Sequence, residues 1–372
     1  MNNGAFYTIL VRDREGNKVG LAHPIKGLKF GKRLNNYGTA EFSIKVNDPM
    51  AGDLIDLRKN YIDIFRTVPE GIAYLLQENG DFLLQESGDK LVLDKAGKKV
   101  WSGEMAVTRS LLEANGNNWA TIRCHTWFEQ LYHRFTGVSR RFDGTDAGQI
   151  AAQLINETNS DSDTGIKIGI IESTVARDRT YQNQNIAEGI MNLSDVLSGF
   201  DFEVDNNRVF NVYNIMGEDK TNSLAFQYGH NTSRVEIIED FASPANRAIV
   251  LGEAIDENNL LRVDRNDISL QSEFGLYEAR MIEDDVSTES TMNDKGDALI
   301  RKYGTALIKI DFDVVRNITP SIDEFDVGDG VRLIIKDGMY NIDEEYRVFE
   351  WQMEVGTDSS EKLSLVLGKF TI

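Results

Sequence analysis

Apolar and polar residues alternate along the first third of the chain, with a period of two. In Thr39–Val46 (TAEFSIKV), Ala40, Phe42, Ile44 and Val46 fall on one face, and Glu41, Ser43 and Lys45 on the other. That is the mark of a half-buried strand. Ala5–Arg12, Ile25–Phe30, Tyr61–Arg66, Lys99–Ser110 and Trp119–Trp127 have a similar strand character, and Asn47-Asp48-Pro49 and the Gly/Asn turns punctuate them. Short strands at this spacing predict a small barrel or sandwich over residues 1–135.

The period changes near residue 136. Ala147, Ile150, Ala151, Leu154 and Ile155 form one stripe at helical spacing, which predicts a helix over 146–158 capped by Thr145. Asn185-x-x-Glu188 has the pattern of a capping box and opens a second helix, with Ile186, Ile190, Leu193 and Leu197 on one side and Gly199 as its stop. FDFEVDNNRVFNVY reads as strand, turn, strand. Residues 136–230 are therefore an α+β insertion.

β character returns from about residue 231. Residues 231–280 and 308–372 form a second β-domain, with a small helical insertion at 281–307 in which Ser290 is the candidate cap. Lys336-Asp337-Gly338 marks a hairpin turn. The two β-domains share a cadence: YIDIFR with WSGEMAV in the first answers YRVFEWQMEV in the second. The fold class expected is mainly β with α+β insertions.

Residues 74–97 interrupt the first β-domain with a stuttering repeat, YLLQENGD, FLLQESGD, KLVLDKAG. Its turns fall at Asn79-Gly80, Ser87-Gly88 and near Ala96-Gly97, which makes it a β-meander inserted between two strands. A lone hairpin is marginal in water. Leu75, Leu76, Phe82, Leu83, Leu84 and Leu91 are accordingly the candidate contacts to another subunit or protein.

Composition adds bounds. The chain has 372 residues, enough for two to four domains, and its 41% hydrophobic content fills real cores. The net charge of −20 disfavours binding to nucleic-acid backbones or anionic membranes. The single cysteine, Cys124, excludes an internal disulfide and reads as a core residue. The N-terminus shows neither a signal peptide nor a membrane span.

Candidate chemistry is sparse. Cys124, His125 and His133 make a poor zinc set, and the Gly-Asp turns lack the ligand spacing of an EF-hand. No nucleophile elbow or phosphate loop occurs. Asn231-Thr232-Ser233 fits a glycosylation acceptor, but without a secretion signal it is a chance match. No catalytic residue, metal or cofactor is expected, and the chain reads as an assembly protein rather than an enzyme.

Several segments, taken in order, resemble the tail hub proteins of long-tailed bacteriophages. They are RLNNYGTAEFSIKVNDP, Ile62–Arg66 with Trp101–Glu104, RTYQNQNIAEGIMNLSDVLSGFDFEVDNNRVFNVYNIMG, NRAIVLG, the segment around FGLYEAR, and FDVGDGVRL with YRVFEWQ. The resemblance spans nearly the whole chain. It implies two small β-barrels related by pseudo-symmetry, each carrying an inserted domain, in a homotrimeric ring. That ring adapts a sixfold tail tube to a threefold tip and gives DNA a channel on ejection. Part of the negative charge would line the channel, since an acidic wall removes the gain from counterion release. Implied partners are the distal tail protein hexamer or tail tube, a fibre, spike or receptor-binding protein, and the tape measure protein. The implied location is the virion tail tip, after synthesis in the host cytoplasm. A receptor- or glycan-binding tail protein is the alternative, with a tail-associated cell-wall hydrolase behind it. Relatives often carry a C-terminal lytic or receptor-binding module, whereas KFTI follows the last barrel strand directly.

Overall fold

The computed structural model describes residues 5–22, 25–68, 73–74, 92–93, 97–137, 139–196, 198–256, 259–283, 286, 288–304, 307–314, 320–356 and 360–369. The first β-rich region contains β1 (Phe6–Arg12), β2 (Lys18–Ala22), β3 (Ile25–Arg33), β4 (Thr39–Lys45), the single turn α1 (Ala51–Leu54), β5 (Tyr61–Thr67), β6 (Ala73–Tyr74), β7 (Val92–Leu93), β8 (Lys98–Leu111) and β9 (Trp119–His125). The predicted alternation is realised in β4, where Ala40, Phe42 and Ile44 are buried and the residues between them are not. Cys124 is buried in the same core.

A 3-10 helix, Trp127–His133, leads into β10 (Arg140–Asp146), α2 (Ala147–Asp161), β11 (Lys167–Ile171), β12 (Ala176–Tyr181), α3 (Ile186–Ser194), β13 (Asp201–Val204) and β14 (Val209–Tyr213). These elements share a separate core around Ile150, Leu154, Ile190, Phe202 and Phe210. The cap of α2 is Asp146 rather than Thr145: its Oδ1 accepts from the Gln149 amide at 3.1 Å, while Thr145 Oγ1 donates to the Asp143 carbonyl at 3.2 Å. An ionised carboxylate suits the positive end of the helix better than a hydroxyl does. Asn185 caps α3 as its pattern predicted, accepting from the Glu188 amide at 3.1 Å. That helix ends at Ser194, one turn before Gly199.

The chain continues through β15 (Ala225–Gln227), β16 (Thr232–Asp240), β17 (Arg247–Asp256), β18 (Asn259–Asn266), α4 (Ile268–Phe274), β19 (Glu278–Ile282), α5 (Glu289–Tyr303), β20 (Leu307–Val314), β21 (Gly330–Asp337), β22 (Tyr340–Val355) and β23 (Glu361–Lys369). Strands β17, β18 and β19 leave the second β-domain to which their sequence assigned them. They form their own three-stranded sheet, and α5 lies across it. The apolar stripe of α5 needs a sheet face: Met292, Leu299 and Ile300 bury against Ala248, Val250 and Val263. Its N-cap position is Thr288, not Ser290.

Apart from β6 and β7, which pair only with each other, the remaining strands of both β-regions make one 13-stranded sheet. Strand β22 joins the halves: it pairs antiparallel with β3 (Glu350↔Arg33 to Val355↔Leu28) as well as with β21 and β23. One apolar core runs through both halves, from Ile9 and Phe42 to Trp351 and Leu365. Among the described residues, strand pairing closes neither half into a barrel. The sheet is strongly curled instead. The Tyr7 ring of β1 packs at a tilt against Phe30 of β3, which meets Trp351 edge-on. Tyr7 and Arg66 both reach Glu361 on β23 from strands far along the sheet, and Arg66 grips its carboxylate through Nε and Nη2 at 2.8 and 3.0 Å.

Candidate assembly surfaces

Two hairpins extend past the core. In β8 the buried stretch Val100–Met105 gives way to exposed Val107–Leu111, and the arm ends with Leu111 and Leu112, the latter 68% exposed. The arm of β21 and β22 turns at Gly338-Met339. Gly338 takes the positive φ of 57° that a glycine-first two-residue turn requires, and Met339 stands 85% exposed at the tip. A third apolar area lies around α4, which buries none of its residues. Ile268, Phe274, Leu276 and Tyr277 are exposed there, and Phe241 meets Phe274 edge-on. Large exposed apolar side chains in groups mark contact surfaces.

The predicted contact residues Leu75, Leu76, Phe82, Leu83, Leu84 and Leu91 lie outside the described residues. What is described is the root of their insertion. Strands β6 and β7 pair at Ala73↔Leu93 and Tyr74↔Val92, and β5 and β8 pair at Arg66↔Lys98. The two ends of the insertion thus lie side by side at 73–74 and 92–93. Sequence reasoning missed the other surfaces. Adjacent leucines before the ANGNN turn were their one legible sign, because a strand that is apolar on both faces beside a tight turn has no core to enter.

The ionisable clusters tie the parts together. Glu129 on the 3-10 helix accepts from Arg58 at 2.8 and 3.2 Å, and Arg58 also reaches Glu104 at 3.1 Å. His133 Nε2 lies 3.0 Å and His125 Nδ1 3.4 Å from the same Glu129 oxygen. Burial alone would raise the Glu129 pKa. Its contacts with His125, Arg58 and His133 outweigh that and hold the carboxyl well below its ordinary value. Cys124 faces the core from β9, whereas His125 lies on the other side of that strand and His133 on the 3-10 helix, so the three residues considered as a metal set do not converge. Among the described residues no group of His, Cys, Asp and Glu is arranged to hold a metal.

Other carboxylates pin the insertion to the sheet. Asp201 accepts from Asn35 and the Met216 amide, at 2.9 and 2.8 Å, and pairs with Arg347. Asp329 holds the Glu218 amide and Lys220, at 2.7 and 2.9 Å. Between them Gly217 and Gly328, at φ 97° and 93°, pass so close that a Cβ on Gly328 would lie 2.6 Å from the Met216 carbonyl oxygen. Asn231 of the glycosylation-like triplet is buried and hydrogen-bonds the Ala225 carbonyl at 2.7 Å. Among the described residues no helix is long and apolar enough to cross a membrane.

No family model and no curated protein matches the chain. Solved structures do. A tail protein from Neisseria meningitidis MC58 superposes with a TM-score of 0.60 at 10% identity, over 97% of this chain and 96% of that one. Prophage tail protein gp18 from Listeria monocytogenes EGD-e gives a TM-score of 0.58 at 12% identity, over 98% and 95%. An Escherichia coli type VI secretion component, described as structurally similar to the T4 bacteriophage tail proteins gp27 and gp5, gives 0.50 at 11% identity, over 97% of this chain and 77% of that one. The chain has the fold of phage tail hub proteins, as its ordered segments had suggested.

Proposed function

We propose that the chain is a structural, non-catalytic hub protein of a bacteriophage tail tip or baseplate. The observation that carries this reading is the fold match over nearly the full length of both chains. Three copies form a ring at the end of the tail tube. The two halves of the curled sheet act as pseudo-equivalent units facing a sixfold neighbour, while the ring presents threefold symmetry below. DNA passes through the centre without specific binding, past a wall that carries part of the −20 net charge. The projecting β8–β9 and β21–β22 arms and the area around α4 supply contacts to other copies and to neighbouring tail proteins, as does the 74–97 insertion.

Native mass measurement of the purified chain tests the oligomer. The proposal expects three copies of the 41.9 kDa chain. A species that stays monomeric and does not join tail tubes would count against the hub.

A further inference from the structure

Where the turn between β13 and β14 meets the first sheet, a cavity of about 220 Å³ opens among side chains of β5, β8 and the 3-10 helix. Three buried polar atoms there have no hydrogen-bond partner among the described residues: Asp63 Oδ1, Ser102 Oγ and Trp127 Nε1. Their residues are 4%, 1% and 2% exposed. A buried polar atom left unpaired carries the full cost of its lost hydration, so three around one cavity indicate a polar occupant.

The charges define its sign. The other oxygen of Asp63 is already taken by Arg12, at 2.9 Å. Lys99 stands 3.7 Å from Asp63 Oδ1 and donates to the Asn206 carbonyl at 3.0 Å, which leaves it further N–H groups. The Arg208 guanidinium stacks 3.8 Å from Trp127 and 4.5 Å from Tyr61, and among the described residues it pairs with no carboxylate. Arg208 occupies the left-handed region at φ 64°, an uncommon place for arginine. Lys99, Arg208, Trp127 and Ser102 thus line a space beside one neutralised carboxylate that keeps an acceptor oxygen without a hydrogen bond. In a chain of net charge −20, this is a local reversal of sign.

We propose that this pocket binds a small hydroxycarboxylate, a class that includes acidic monosaccharides. The ligand carboxylate takes Lys99, Arg208 and the Trp127 N–H. A ligand hydroxyl donates to Asp63 Oδ1, and Ser102 completes the contact. The volume suits it, since a water claims about 30 Å³ of liquid and the cavity holds several. The site stands independently of the hub proposal.

Calorimetric titration of the full chain with glucuronate, acetate and glucose at matched ionic strength tests it. Saturable glucuronate binding is expected, tighter than acetate, with none for glucose. Arg208→Asn, which tolerates the left-handed backbone, should weaken glucuronate at least tenfold, as should Lys99→Met, with thermal unfolding confirming that both variants fold. Failure of glucuronate to saturate, or equal binding by both folded variants, would overturn the site. Glucuronate no tighter than acetate would overturn the hydroxyl contact to Asp63.

Discussion

Single residues decide how the insertion is fastened. Gly328 has a positive φ and the Met216 carbonyl oxygen only 2.6 Å from where its Cβ would be, so Gly328→Ala must move the backbone that Asp329 anchors. A loss of about 3 kcal/mol or more is expected, read from the urea midpoint. Glu129 offers a second test with a sign in pH. Its folded-state pKa is depressed, so its contribution is present above the unfolded carboxylate pKa of about 4.3 and is lost as pH falls through the folded value. Glu129→Gln should therefore destabilise the protein at neutral pH by about 1–3 kcal/mol, and the gap to wild type should narrow below about pH 4. A gap that stayed constant down to pH 2 would show that the carboxylate charge is not what matters. At this scale the sequence was partly legible. The turns holding Asp326 and Asp329 follow from residue type, because Asp suits turns. That their carboxylates also grip Lys32, Trp351 and Lys220 depends on partners tens to hundreds of residues away, which no local pattern reports.

At the scale of elements, period-two alternation found most strands of the main sheet, and helical stripes found α2, α3 and α5. It did not find how the strands divide. Strands β17 and β18 also read as strands, but only tertiary packing decides that they serve α5 instead of the main sheet. Nor does alternation reveal that β22 is long enough to pair with β3 as well as β21 and β23. The curl brings Arg66, 7% exposed, against Glu361 and Asp323. Removing one partner of a buried pair strands the other. Arg66→Met should lower stability by about 3 kcal/mol, and adding Glu361→Gln should recover part of that loss in a double-mutant cycle. Purely additive effects would mean that this contact does not hold the curl.

At the scale of the molecule, the order of loose motifs pointed to the hub fold more clearly than any single motif did, and solved tail proteins share that fold at 10–12% identity. Identity so low leaves almost no residue in common, so what persists is the path of the chain: a curled sheet, an α+β insertion, a helix-backed small sheet, and a return to the main sheet. The candidate contact surfaces remained largely hidden in the sequence, because Leu112 and Met339 are ordinary residues until their exposure is known. The most direct test is a reconstruction of the intact phage tail by electron cryomicroscopy. Three copies of this chain around the tail axis at the end of the tube, with a negatively charged inner wall, are predicted; any other copy number, or a position away from the axis, would contradict the account.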